Sequence, residues 1–353
     1  MTRKASRLCP AIISSFSVTG SDPDYDAIPP ECEYVEAYCF MQRCLPGNTT
    51  SLNAVRHLAD LHHQGKIDEV VNSLEERFRG KKIAALATFA PELTAKEGRN
   101  SDFENAYHAL MLLIDVVRVL QVRGHPVNTI ELVSGSRIKS ISREPGSAST
   151  CFVHRLTQST AMSLLISRLK EVAAYAYRPT PVFLAVELEP GPLFILSSPN
   201  SVTRFCKLID DSKDEALKRC VGLNLDIPHW HFLAGILPEW LEAPENKAVY
   251  RRIAHAHICD HHIGHFCDLV PMTFNSKGTF LRWFSFLHQL SSEKRPVGLP
   301  KFSRFVSCEM EACTDKRLVQ NCYQRVSELL AYNSATTRPK VVSRNQIARR
   351  AEA

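Results

Sequence analysis

The chain has 353 residues, which is long enough for one large α/β barrel or for two ordinary domains. Its composition, with 44% hydrophobic and 23% charged residues, is typical of a globular protein, and no apolar stretch approaches the roughly 20 residues that span a bilayer. The formal net charge is +6, of which the segment 338–353 contributes +4, so a nearly neutral body carries a basic tail. We predict that this tail is disordered, with weak binding of a polyanion such as nucleic acid as the alternative.

The first residues and the cysteines bear on the cellular compartment. Basic residues precede a short apolar run at the N-terminus, as in a secretory leader, but Pro10 interrupts that run and no clean cleavage site follows. The twelve cysteines include no CxxC pair, and Cys259 and Cys308 fall inside predicted strands. This pattern favours buried, reduced thiols over a disulfide framework or a zinc ribbon. We therefore expect a cytoplasmic protein.

Predicted strands and helices alternate from about residue 80 onward. The strands are short apolar runs rich in β-branched residues, at 81–89, 127–133, 182–187, 221–226, 252–258 and 304–309. The helices show apolar residues at helical spacing, at 103–122, 157–177, 200–219, 236–250, 277–291 and 315–332. Repeated βα units of this kind form parallel strands with right-handed crossovers. The pattern therefore predicts an α/β fold.

A closed (β/α)8 barrel needs two further strands, which must come from the first 80 residues. The run 10–16 is a good candidate, whereas 33–40 is a poor one because little helix fits between the two. The segment 50–78 has helical periodicity and suits the barrel wall. We predict a single TIM-barrel domain over residues 1–333 with an irregular N-terminal quarter, followed by a flexible basic tail over 334–353.

Acidic and histidine side chains stand at the ends of four predicted strands. They are Glu187, Asp226, His257 and Glu309. Because the carboxyl ends of barrel strands meet at one mouth, we expect these side chains to converge. Three carboxylates and one imidazole suit a divalent cation with open positions, namely Mn²⁺, Mg²⁺ or Co²⁺, with Zn²⁺ as a further option. The sequence thus predicts one metal ion bound by these four residues.

Four segments resemble those of the xylose isomerase-like TIM barrels, in the same order and at similar separations, over roughly residues 80–330. They are LAVELEPGP, GLNLDIPHW, HAHICDHH and FVSCEME. The superfamily includes sugar isomerases, ketose 3-epimerases, inosose dehydratases and an endonuclease IV branch. Its motifs are a strand-ending Glu, an Asp followed three residues later by His, a His-x-x-Asp and a final-strand Glu. The matching residues are Glu187, Asp226, His229, His257, Asp260 and Glu309.

The resemblance implies proton abstraction from a small sugar, polyol or keto-sugar by an isomerase, an epimerase or a dehydratase. In the family mechanism a cation polarises the carbonyl and holds the enediolate, one Glu removes the proton, and the opposing or the same Glu returns it. We expect Glu187 and Glu309 to form this catalytic pair. We expect His229 to reach the substrate or a ligand oxygen.

Further side chains near the predicted mouth are candidates for contacting the substrate. They are Glu189, Asp260, Trp230 and Arg137. His255 shares a strand face with His257 but lies one layer deeper, so we expect a core histidine. Two alternatives stay open: a metal-dependent phosphodiesterase of the AP-endonuclease type, and a barrel that handles a metabolite without turnover. A phosphodiesterase of this type needs histidines at early strand ends, and this sequence lacks them. A homo-oligomer also stays open.

Overall fold

Ten strands form in the part of the chain that the structure describes. They are β1 (Cys9–Ile13), β2 (Tyr34–Tyr38), β3 (Lys82–Thr88), β4 (Thr129–Val133), β5 (Ile138–Arg143), β6 (Cys151–Arg155), β7 (Phe183–Glu187), β8 (Val221–Asp226), β9 (Ile253–Ile258) and β10 (Phe305–Cys308). Eight of them, all but β5 and β6, close into a parallel barrel in the order β1-β10-β9-β8-β7-β4-β3-β2. The computed structural model describes residues 8–14, 27–39, 46, 54–95, 101–143, 151–189, 191–259, 277–310, 313 and 315–336.

Helices follow the strands and cover the barrel from outside. They are α1 (Ala54–His63), α2 (Ile67–Arg77), α3 (Asp102–Val122), α4 (Gln158–Ala176), α5 (Pro199–Asp210), α6 (Glu215–Cys220), α7 (Pro238–Glu242), α8 (Lys247–Tyr250), α9 (Lys277–Ser292) and α10 (Lys316–Thr336). Short 3-10 helices span Pro91–Thr94 and Pro244–Asn246, and a single π turn spans His229–Leu233. This arrangement is the (β/α)8 TIM barrel that the sequence predicts.

Side-chain caps fix where the long helices begin. At the start of α3 the hydroxyl of Ser101 accepts a hydrogen bond from the backbone N–H of Glu104, and Thr157 caps α4 in the same way. Ser198 and Ser201 form a reciprocal capping box at the start of α5. Each cap satisfies a backbone donor that a helix terminus otherwise leaves unpaired, which is worth about 1 kcal/mol. The local sequence therefore determines the residue at which each of these helices begins.

Helix α3 is the one helix in the described part of the chain that is long and apolar enough to span a membrane. Nine of its side chains are buried within the protein, among them Leu110, Leu113 and Val117. A helix that lies between a barrel wall and an outer helix needs apolar residues on more than one side. The apolar composition of α3 thus has an explanation within the fold.

The structure differs from the sequence-based expectation in the N-terminal quarter and in one loop. The run 33–40, which we rated a poor strand, supplies β2, and the run 10–16 supplies β1 as expected. β1 and β2 are parallel, which requires a crossover connection of about a dozen residues or more, and residues 14–33 provide that length. The segment between the predicted strand 127–133 and the predicted helix 157–177, a loop by that prediction, contains the antiparallel pair β5 and β6. Helix α10 continues to Thr336, three residues past the predicted domain end, and residues 337–353 lie outside the described ranges.

The inside of the barrel is unusually polar. A TIM barrel is commonly filled by layers of bulky branched side chains. Here the strands bury acidic, amide, hydroxyl and imidazole groups, which are Glu36, Thr88, Thr129, Glu131, Glu187, Asn224, Asp226, His255, His257 and Ser307. Buried polar groups of this number have a large desolvation cost unless they bind one another or a ligand. The polar side chains inside the barrel therefore indicate a binding or catalytic site rather than a purely structural core.

Candidate metal centre

Four side chains from four consecutive barrel strands meet at the carboxyl end of the barrel. They are Glu187, Asp226, His257 and Glu309, and one potential ligand atom from each lies within 4.8 Å of the others. Three of the four are buried, and Glu309 is partly exposed. We call these four residues the mouth quartet. Their convergence is the arrangement expected from the sequence.

The register of the strands accounts for this convergence. Glu187 and Asp226 are the last residues of β7 and β8, His257 is the penultimate residue of β9, and Glu309 directly follows β10. Asp226 pairs with His257 across β8 and β9, and the N–H of Glu309 donates to the carbonyl of Ile258 at 3.1 Å. The four side chains therefore reach the same level of the barrel.

The imidazole of His257 lies between two carboxylates. Its Nδ1 is 2.8 Å from Oε2 of Glu309, within the mouth quartet. Its Nε2 is 3.2 Å from both carboxylate oxygens of Glu36, which projects from the middle of β2. Burial alone would lower the pKa of His257, but Glu36 and Glu309 outweigh it and hold that pKa well above its ordinary value.

A deeper layer of hydrogen bonds fixes the Glu36 carboxylate. His255 Nε2 is 2.7 Å from Glu36 Oε2, and His255 Nδ1 is 2.8 Å from the hydroxyl of Ser303. Burial would raise the pKa of Glu36, but His255 and His257 outweigh it and lower that pKa below its ordinary value. His255 is fully buried with both ring nitrogens bonded, so it is the core histidine that we expected. Its carboxylate partner in turn orients His257.

His229 lies close to the other two carboxylates of the mouth quartet, those of Glu187 and Asp226. It opens the π turn after β8, where the Oδ1 of Asp226 accepts its backbone N–H at 2.8 Å. Its Nδ1 is 3.2 Å from Oε1 of Glu187 and 3.9 Å from Oδ1 of Asp226. Burial lowers the pKa of His229, but Asp226 and Glu187 overcome that effect and raise the pKa well above its usual range.

Acidic groups outnumber cationic ones at this end of the barrel. Burial raises the pKa of Glu131 well above its ordinary value, and the adjacent Glu187 carboxylate raises it further. The pKa of Glu189 is raised by burial and then by Glu187, and that of Asp226 by burial and then by Glu309. Within the described ranges no Lys or Arg forms an ion pair with these carboxylates. The carboxyls therefore compete for protons, which a bound cation can replace.

One orphaned oxygen provides a direct test of whether a cation fits. Asp226 Oδ2 is buried and accepts no hydrogen bond from any described residue, while Glu187 Oε1 faces the Nδ1 of His229 at 3.2 Å. A buried carboxylate oxygen without a donor is costly, and coordination to a divalent ion removes that cost. Oxygen ligands with one imidazole suit Mn²⁺, Mg²⁺, Co²⁺ or Zn²⁺. The residues present fit a divalent metal.

The remaining candidates from the sequence lie in several environments. Glu189 is partly exposed two residues beyond Glu187, and its contact with a substrate stays a prediction. Trp230 is fully buried among the core side chains rather than open at the mouth. The guanidinium of Arg137 donates to the backbone carbonyls of Leu156 and Pro192, so it holds loops together. Asp260 lies outside the described residues.

Sequence reasoning missed two carboxylates, Glu36 and Glu131. Both sit in the middle of apolar strands, in the runs YVEAY and TIELV, and both are buried. An acid at the centre of a buried strand is unfavourable without a partner, so this position itself is a signal. Because neither residue lies at the end of a strand, the strand-end pattern does not predict them.

Several solved structures have a fold similar to that of this chain. One is the IOLI protein with a binding zinc atom, at a TM-score of 0.55 and 14% identity, over 92% of this chain and 99% of the other. Another is an L-ribulose 3-epimerase, also at 0.55 and 14%, over 96% of this chain and 99% of the other. At this level of identity the likeness shows that this chain has the TIM-barrel fold. No protein-family model and no curated protein matches the sequence.

Proposed function

We propose that this protein is a divalent-metal-dependent isomerase or epimerase that acts on a small sugar, polyol or keto-sugar in the cytoplasm, with dehydration as a variant of the same proton abstraction. The observation that carries the proposal is the mouth quartet, whose ligand atoms lie within 4.8 Å of one another at the carboxyl end of the barrel. The likeness in fold to an L-ribulose 3-epimerase supports the substrate class.

The proposed ligands are the four residues of the mouth quartet, with His257 binding through Nδ1. Its Nε2 faces Glu36, so an N–H at Nε2 donates to that carboxylate and leaves the Nδ1 lone pair toward Glu309. A carboxylate that fixes the tautomer of a metal-binding histidine is a common arrangement. When bound, the ion polarises a substrate carbonyl and acidifies the neighbouring C–H.

Glu187 and Glu309 are the proposed proton-transfer groups. They come from β7 and from the end of β10, so they approach the mouth from different sides of the barrel. One carboxylate removes the proton from the carbon next to the carbonyl, and the same or the opposing one returns it. Nδ1 of His229 is 3.2 Å from Oε1 of Glu187, so this imidazole restrains the carboxylate. From the same place His229 is the proposed contact to the substrate.

Deuterium exchange tests the proposal directly. The purified protein is incubated in D₂O with Mn²⁺ and a panel of ketopentoses and ketohexoses, and mass spectrometry measures deuterium at the carbon next to the carbonyl. We expect incorporation with the wild type. Glu309→Gln and Glu187→Gln should each reduce the rate by about 10²- to 10⁴-fold, because a positioned base contributes this much. Glu328→Gln, on the exposed face of α10, is the matched control and should exchange at the wild-type rate.

The same experiment distinguishes the alternatives. Tight Mn²⁺ binding without exchange on any sugar would identify a barrel that handles a metabolite without turnover. Full exchange in Glu309→Gln would remove Glu309 from the mechanism, and full exchange in both variants would overturn the proposal. A phosphodiesterase would leave the sugars unchanged and cleave a bis(p-nitrophenyl) phosphate probe.

A further inference from the structure

Three histidines cluster on the outer helices, away from the barrel strands. His62 and His63 end α1, and His108 lies in the second turn of α3, along which α1 packs. One nitrogen from each imidazole lies within 4.8 Å of the others. His62 and His108 are partly buried and His63 is exposed. We call these three residues the helix triad. It shares no residue with the mouth quartet.

The spacing within the helix triad matches that of imidazoles on one metal ion. His62 Nδ1 and His108 Nδ1 are 3.2 Å apart. With metal–nitrogen bonds of about 2.0–2.1 Å, two ligand nitrogens at a tetrahedral ion are about 3.3–3.4 Å apart. The ring centroid of His63 lies 4.2 Å from that of His108 and 6.0 Å from that of His62. One nitrogen of the exposed His63 already lies within 4.8 Å of a nitrogen on each of the other two rings.

A hydrogen bond between imidazoles explains only part of this arrangement. One N–H···N contact accounts for His62 and His108, but it gives no role to His63. Adjacent residues on a helix normally point in different directions, yet His62 and His63 both approach the ring of His108. At this end of α1 the N–H groups of Gly65 and Lys66 donate to the carbonyls of His62 and Leu61, which fixes the backbone that carries both rings.

We propose that His62, His63 and His108 form a second metal site, which binds a divalent transition ion such as Zn²⁺, Ni²⁺ or Cu²⁺. Imidazole ligands favour these ions over Mg²⁺ or Mn²⁺, which prefer oxygen. The fourth position faces solvent beside His63 and takes water. The ion connects the end of α1 to α3 and so stabilises the outer helical layer.

Metal titration of matched variants tests the site. Apo protein is titrated with Ni²⁺ by calorimetry, as the wild type, His63→Gln and His57→Gln. His63 is exposed, so its replacement leaves the fold intact, and His57 is the control because it lies on the same helix with its ring bonded to the carbonyl of Pro46. The wild type and His57→Gln should bind one equivalent more than His63→Gln. The thermal midpoint should rise with Ni²⁺ by less in His63→Gln than in the control.

A further variant separates this site from the mouth quartet. Asp226→Asn should weaken binding at the barrel and leave the equivalent that depends on His63 in place. If His63→Gln binds as many equivalents as His57→Gln, with the same affinities, the helix triad is not a metal site. That outcome would leave the proposed barrel chemistry untouched, since the two sites share no residue.

Discussion

At the scale of single residues, the most consequential side chain lies outside the predicted set of metal ligands. Glu36 lies inside the barrel and accepts from two histidines, of which only His257 belongs to the mouth quartet. It therefore fixes the orientation and tautomer of His257 from behind. A carboxylate in this position adds to the basicity of the imidazole, so it would strengthen the proposed binding of a metal ion by His257 without contacting the ion.

The first prediction concerns this positioning residue. Glu36→Gln retains the shape of the side chain but removes its charge, so His257 loses the anion that faces Nε2. We expect the affinity for Mn²⁺ to fall about 10- to 100-fold, as is typical when such a partner is replaced. Calorimetric titration measures the change. Glu33→Gln, an exposed acid just before β2, should bind Mn²⁺ as the wild type does. Equal affinities in the two variants would show that Glu36 does not act through His257.

The sequence predicted one half of the site and not the other for a physical reason. Glu187, Asp226, His257 and Glu309 end consecutive apolar strands, and the ends of parallel strands meet by the geometry of a barrel. Glu36 is found only when β2 is placed correctly and when the inward direction of its alternating side chains is known. A single-residue shift of register would have pointed it outward. That register depends on long-range strand pairing, which local pattern does not contain.

At the scale of secondary-structure elements, one buried guanidinium connects the ends of two helices and two strands. Arg252 directly precedes β9 and has no exposed surface. It donates to Oδ1 of Asp210 at the end of α5, and to the carbonyls of Lys218 in α6 and Val221 at the start of β8. The Lys218 carbonyl belongs to the last turn of a helix, where carbonyls lack partners within the helix. Arg252 thus supplies the missing donors.

The second prediction tests this junction. Arg252→Met keeps most of the side-chain volume but leaves two backbone carbonyls and a carboxylate without their donor. The exposed carboxylate of Asp210 is solvated by water, but each unpaired carbonyl costs about 1–3 kcal/mol, so we expect the free energy of unfolding to fall by about 3 kcal/mol. Urea denaturation measures it. Arg251→Met, at the exposed neighbouring position, should change stability by less than about 0.5 kcal/mol. A similar small change in Arg252→Met would contradict the role assigned to these hydrogen bonds.

The bottom of the barrel is tightly packed beside the same residue. A Cβ added to Gly222 in β8 would lie 2.6 Å from the carbonyl oxygen of Arg252 and 2.8 Å from the Cβ of Ala254. Strands β8 and β9 therefore approach closely at their starts, and their ends present Asp226 and His257. The rigid lower junction and the polar mouth are two ends of the same strand pair. Stability and chemistry are thus separated along the strands.

At the scale of the whole molecule, the polar interior makes stability depend on pH in an uncommon direction. The pKa values of Glu131 and Asp226 are raised above ordinary values of 4.5 and 3.8, and those of His229 and His257 are raised above 6.5. The folded protein therefore keeps protons that the unfolded chain releases, so stability without metal falls as pH rises above these ordinary values. Glu36 has a lowered pKa and the opposite sign, but its effect lies below its ordinary value of 4.5.

The last prediction is that a divalent ion reverses this trend, because the ion binds the deprotonated ligands that destabilise the apo fold. With EDTA, the free energy of unfolding in urea should decrease steadily from pH 5 to pH 8. With Mn²⁺ at about 100 times its Kd at pH 8, stability should rise by about 2.7 kcal/mol, and the gain should shrink toward pH 5 as protons compete. His63→Gln should show the same gain, whereas Asp226→Asn should lose most of it. A gain from Mn²⁺ that is equal at pH 5 and pH 8, or that survives in Asp226→Asn, would mean that the stabilising ion binds somewhere other than the mouth quartet.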